Sequence, residues 1–580
     1  MSNDAMYLIN IFRRLVNEKY NNPDHTSSSN ENEAENEPPG QEIGPGDVYL
    51  GYPFLHEGQQ EHIQTDLPAI DAQYFQQEVK NNGGVLLDMF NSNTIYLCDK
   101  YEMDEKVSKH MTQTGAYSLI QELNETNPIY VQQHLNKSVE QVTSLLNDLL
   151  ERQCLTNIQV QQMSVQRSIV QMDYLYFLPD AHQKNIPFQP VMICCLGPTI
   201  GISRYMNRRL QPIYDQVTHS TTFFKESNAV RALENYAKQG YLQSNTLFAT
   251  LHVNDLCTIL PHEQLIKALQ RFLNDYVPDG QIQGVTIHTI IELIRYVLQN
   301  QYFIFKNKVY RQVKGCGSGQ PLNHLLANIY MFYWQEDLVK ILVNKNEIFG
   351  RCLDEMFLTW NKSKRELQSL IKRMIHKKYP KLSITSSIGK NINYLDVKIS
   401  YINSHLRSTI NHDHDIEPRG LPYISDHPPR MYSTLIQACL IRAALICSKE
   451  SDFDNERRDI EVIFIKNGYS IEYIREHINQ FFQCFHVFNW RSDFNENVYD
   501  KMRQDIIEYD QQRQEMKIQQ RQKEQNELIC YMITDLDGEE LYDFQQDIKP
   551  IQEVYLKTER QFSNMKYEVI HRPKYPSNTK

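Results

Sequence analysis

The ten residues RCLDEMFLTW, Arg351 to Trp360, set two adjacent carboxylates between two apolar runs. Each run has the length of a short strand, and the acids fall at the junction. The pattern predicts a tight hairpin, IFGRCLD against EMFLTW, with Asp354 and Glu355 at its tip. Neighbouring carboxylates repel, and burying them is costly unless positive charge lies between them. A divalent ion is the usual solution, because hard cations take oxygen ligands. A solvated turn that happens to carry two acids fits the same residues.

Two further segments carry chemistry-bearing residues. In TLFATLHVNDLCTILPHEQLIKALQRFL, Thr246 to Leu273, a strand over Leu247 to Val253 enters a turn, and Pro261 opens an amphipathic helix. His252 and Asp255 sit at the carboxyl end of that strand, a common position for a functional side chain. A core strand with a satisfied histidine is the competing reading. In KGCGSGQPLNHLLANIYMFYW, Lys314 to Trp334, glycines at 315, 317 and 319 precede Pro321 and a long apolar helix. The glycines permit close approach of another group to the backbone. No Gly-Lys-Ser/Thr follows, so this is not a Walker loop.

Charge is distributed unevenly. Net charge is −11, yet residues 201–450 carry 31 Lys and Arg against 20 Asp and Glu, and the remainder 29 against 51. A basic middle with acidic ends suits a polyanion-binding core with acidic appendages, or simply clustered surface charge. The helix KSKRELQSLIKRMIHKKYP supplies Lys362, Lys364, Arg365, Lys372, Arg373, Lys377 and Lys378. Eleven cysteines are scattered with no C-x-x-C, which fits a reducing intracellular compartment, nuclear or cytoplasmic. No run of 18 apolar residues is present and the N-terminus lacks a secretory pattern, so no membrane association is expected.

The texture of the chain changes along its length. Residues 1–50 read as an amphipathic helix followed by an acidic disordered linker. Residues 51–165 read as a helical region, with apolar spacing of three and four in SVEQVTSLLNDLLERQCL. Short β-rich runs such as YLYFLPD and PVMICCLGP begin the α-and-β stretch 166–415. Residues 416–485 turn helical, and 486–580 form an extension with a Gln-rich charged arm that is a possible oligomerisation element.

The order of these segments resembles the palm of reverse transcriptases, and specifically the Penelope-like retroelement polymerases and related cellular proteins. TLHVNDLCTILPH matches the frame of that family's first motif, T-L-D-V-x-x-L-Y-T-x-I-P-H. GSGQPLNHLLANIYM resembles its Gly-rich motif, FGRCLDEMFLTWN its acid hairpin, and NYLDVKIS the strand that follows. YLYFLPDAHQKNIPFQPV resembles the fingers, and LPYISDHPPRMYSTLIQACLIRAALICS the helical thumb. The resemblance spans roughly residues 170–485. It implies an α+β right-hand polymerase fold: fingers, a palm with an antiparallel sheet, and a helical thumb. It also implies an RNA or DNA template-primer as partner, deoxynucleoside triphosphate as substrate, and Mg²⁺ or Mn²⁺ as cofactor. The GIY-YIG endonuclease that follows the thumb in many members has no counterpart in residues 486–580.

Carried over by position, Asp354 keeps the first hairpin acid and Glu355 replaces the second; these two are the metal ligands the resemblance implies. The first-motif Asp is His252, the aromatic gate against ribose is Cys257, and the triphosphate-gripping Arg is Gln189. Gly319 and Pro321 take the places that border the nucleotide. A neutral imidazole is a poor Mg²⁺ ligand and adds no negative charge. Asp255 compensates only if the turn beyond Val253 swings it back, since an odd offset on a strand points to the other face. Losing one transition-state contact commonly costs about 10²–10³ in rate. Two readings follow: an atypical polymerase using Asp354, Glu355 and either Asp255 or His252, or a polymerase-fold protein that has lost catalysis and binds nucleic acid or serves in assembly.

Overall fold

A computed structural model describes most of residues 79–534 together with 565–571; the internal gaps include 90–94, 124–128, 181–185, 378–381, 413–420 and 424–428. The linker expected over 1–50, the first part of the 51–165 region and much of the tail lie outside the described residues. Among the described residues no helix is long and apolar enough to cross a membrane.

The centre is a four-stranded antiparallel sheet in the order Phe349–Cys352, Glu355–Trp360, Leu247–Val253, Ile384–Gly389. Alternation along these strands divides their side chains between two cores. Ala249, Leu251, Val253, Met356 and Leu358 point back into one cluster. The helices Ile200–Thr218, His262–Tyr276, Ile287–Gln299 and Pro321–Val343 cover that face. The last of these is buried through Leu322, Leu325, Leu338 and Leu342, while Asp337 and Lys340 near its end are exposed. Phe248 and Phe357 point forward into a second cluster with Phe223, Tyr394 and Ile436.

Lys364–Lys377, the basic helix, inserts Leu367, Leu370, Ile371 and Met374 into the rear cluster. Lys364, Arg365, Lys372 and Arg373 are exposed behind the sheet, on the face opposite His252.

Two further sheets flank the centre. The first has five strands and includes the hairpin Asp173–Pro179 with Phe188–Ile193, where the fingers are expected. The second is a three-stranded meander, Asn391–Tyr394, Val397–Ile402 and His405–Ile410. NYLDVKIS is therefore not one strand: Leu395, at φ 50°, opens a two-residue turn within it. The helices Pro429–Ile446, Glu450–Lys466 and Ile471–Cys484 follow and share the forward core through Ile436, Phe453 and Phe481. The Gln-rich segment is helical over Glu496–Glu524, and beyond it Leu528–Thr534 pairs in parallel with Met565–His571.

Candidate active site

The acid hairpin closes through a two-residue turn, Leu353–Asp354, because Cys352 already pairs with Glu355. Leu353 takes a φ of 50°, which the tight turn demands of its first central residue. Only Asp354 thus lies in the turn, whereas both acids were expected at the tip. Glu355 begins the second strand, directly opposite His252 in register.

Arg351 holds this turn from beneath. It is 2% exposed, and its guanidinium donates to Gln335 Oε1 (2.7 Å), Asn328 Oδ1 (2.6 Å), the Asn328 carbonyl (3.2 Å), Tyr214 Oη (2.9 Å) and the Leu353 carbonyl (2.6 Å). On the other side, the Asp354 carbonyl accepts from Val253 N at 3.0 Å, tying the turn to the first palm strand. Burial pushes the Asp354 carboxyl above its ordinary range; His252 opposes that rise and Glu355 adds to it.

His252 Nδ1 lies 2.8 Å from Glu355 Oε1. The contact becomes an ion pair when the imidazole is protonated. Glu355 raises the imidazole above its usual range, burial opposes, and Asp354 and Asp180 add to the rise. Asp180 is a participant that sequence reading missed. It follows the fingers strand, is 5% exposed, and accepts from Gln189 Nε2 at 3.1 Å. No motif spacing connects it to the palm; only the packing of fingers on palm brings it within electrostatic reach of His252.

The other expected site residues fall as follows. Asp255 is exposed, adopts φ 53° and starts the one-turn helix Leu256–Ile259. Its carboxylate acts on His110, whose pKa it raises against the larger effect of burial. It is not among the main groups acting on the Asp354 carboxyl. The Cys257 and Pro321 side chains lie outside the described residues, though Pro321 does open its helix. At Gly319 an added Cβ would meet the Met192 carbonyl at 2.2 Å, and at Gly317 the Met192 sulfur at 2.4 Å. The close approach that these glycines permit is therefore to the fingers strand.

The donor set does not fit a pair of hard cations. Among the described residues, His252, Asp354 and Glu355 do not form a group of three converging donor atoms. Glu355 is engaged by an imidazole, and the position that would add a third carboxylate adds none.

The animal helix-turn-helix domain family matches residues 419–479, which contain most of the three helices after the meander. No curated protein matches the sequence. Among solved structures, telomerase from Candida albicans in complex with a TWJ fragment of telomeric RNA overlays with a TM-score of 0.48 at 8% identity, over 75% of this chain and 72% of that one. The RNA-dependent RNA polymerase of a human picorbirnavirus gives 0.38 at 9% identity, over 75% and 86%. The fold of this chain is a right-hand polymerase fold of the α+β class. The sheet order, the acid hairpin opposite the first palm strand and the flanking fingers sheet and helices carry that conclusion.

Proposed function

We propose that this chain is a reverse-transcriptase-like protein, derived from a Penelope-like retroelement polymerase, that binds a template-primer nucleic acid and has lost nucleotidyl transfer. The observation that carries the loss is the contact of His252 with Glu355. It commits one hairpin acid to an imidazole at the place where the family's first acid stands. Catalysis requires interactions stronger in the transition state than in the ground state, and missing metal ligands act there. Gln189 supports the same reading. It is bonded to Asp180, and a carboxamide cannot grip phosphate bidentately as Arg does. The basic middle of the sequence supports nucleic-acid binding, although the Lys364–Lys377 helix lies behind the palm sheet and adds charge there.

Primer extension on RNA and DNA templates with Mg²⁺ or Mn²⁺ tests the proposal, alongside salt-dependent binding of the same duplexes. No extension, with binding that weakens as salt rises, is expected. Extension that disappears in Asp354→Ala would establish the atypical-polymerase reading instead. Absence of binding at low salt would remove the nucleic-acid role.

A further inference from the structure

Far from the palm acids, His412, Glu456 and Asp459 bring one donor atom each to within 4.8 Å of one another. We propose that they form a binding site for a single borderline divalent transition-metal ion, zinc being the best fit, which clamps the second helix of the helix-turn-helix unit to the end of the meander. Glu456 and Asp459 stand three apart on the helix Glu450–Lys466 and so share a face. His412 lies two residues beyond the strand His405–Ile410, in a segment fixed by Asn411 N donating to the Asp396 carbonyl at 2.8 Å.

The donor set selects the ion class. One imidazole nitrogen with two carboxylates is a donor set that zinc accepts, and three protein ligands leave its fourth position to water, as in open zinc sites. Magnesium prefers oxygen alone. Among the described residues, the neighbouring arginines are engaged by other acids. Arg442 is engaged by Glu226 (2.7 Å) and Asp396 (2.9 Å), and Arg407 is paired with Asp452. Among the described residues, no Lys or Arg pairs with Glu456 or Asp459. Glu456 is 7% exposed, and its carboxylate is met by His412 Nε2 at 2.6 Å. A buried carboxylate with one imidazole neighbour and an unpaired acid beside it is poorly compensated, and a bound cation completes it.

The test uses the full chain carrying Asp354→Asn and Glu355→Gln, so that the palm acids do not contribute, after removal of metal by chelation. Zinc is titrated calorimetrically and its effect on thermal unfolding recorded; Co²⁺ substitution reports the ligand field. One equivalent should bind and raise the unfolding midpoint by several degrees. Asp459→Asn alters an exposed group and should keep the metal-free midpoint, whereas His412→Gln also removes the imidazole partner of buried Glu456 and should lower it; each should weaken zinc affinity at least about tenfold. Absence of stoichiometric binding overturns the proposal. So does binding that both variants retain in full.

Discussion

His252 and Glu355 face each other across paired strands with Nδ1 2.8 Å from Oε1, so an imidazole occupies the charge-balancing position beside the two hairpin acids. Replacing it with a third acid removes the larger of the two positive influences on Asp354, which are His252 and then Arg351. His252→Asp would place like charges together, which is destabilising unless a cation enters. The unfolding midpoint should fall by several degrees in chelator and recover in part with millimolar Mg²⁺ or Mn²⁺. The unsubstituted protein should show no such ion dependence at this site. Thermal melts of both proteins with and without ion provide the check.

Asp173 predicts a pH dependence with a definite sign. It is fully buried, which lifts its carboxyl to about 7, while the side chains of Cys194 and Gln320 hydrogen-bond to it and pull the other way. The folded protein therefore holds this proton between roughly pH 4 and 7, where an unfolded chain has released it. Stability from this group is greatest at the acid end of that window and declines as pH rises through it. Asp173→Asn is close to isosteric and cannot ionise. It should melt higher than the unsubstituted protein at pH 8, with the difference shrinking towards pH 5. A constant difference at both pH values would show that the carboxyl does not titrate there.

Much of this geometry could be read from sequence, and the failures share a cause. Strand Leu247–Val253 follows from its alternating faces, and the helix at 262 from Pro261 and its apolar spacing. Leu-Asp, however, does not announce a turn. Twice, at Leu353–Asp354 and Leu395–Asp396, it forms a two-residue hairpin turn with leucine at φ 50°, where Gly or Asn would have signalled one. The site suffers the same limit at longer range. Position placed His252 opposite the hairpin, but Asp180 reaches it only through the docking of fingers on palm, and Gly319 faces Met192 for the same reason. Pattern along a chain does not encode contacts between elements.

Gly350 shows how tightly the hairpin is packed. A Cβ built there would lie 2.1 Å from the Phe223 ring, and Phe223 N also donates to the Arg351 carbonyl at 3.0 Å. The ring is held on the strand backbone and cannot simply swing away. Gly350→Ala should cost about 1–3 kcal/mol, the usual range for overpacking a core. Chemical denaturation measures it. Combining it with Phe223→Ala should cost less than the two single effects added together, because the clash then has no second partner.

Arg351 supplies the final prediction. Its guanidinium makes all its hydrogen bonds to neutral oxygens, those of Gln335, Asn328, Tyr214 and the Leu353 carbonyl. The group is 2% exposed, and in the described structure it has no carboxylate in ion-pair contact. Its charge is thus solvated by a fixed cage of dipoles whose geometry matches a planar fork. Arg351→Lys keeps the charge but cannot span those acceptors, leaving buried oxygens unpaired at about 1–3 kcal/mol each. Arg351→Met removes the charge as well, and spares the cost of burying an ammonium that lacks its acceptors. Both variants should lose stability, and the lysine variant should be no more stable than the methionine one. Urea unfolding of the two ranks them. A lysine variant close to the unsubstituted protein would mean that charge alone, and not the fork that grips the Leu353 carbonyl, holds the acid turn.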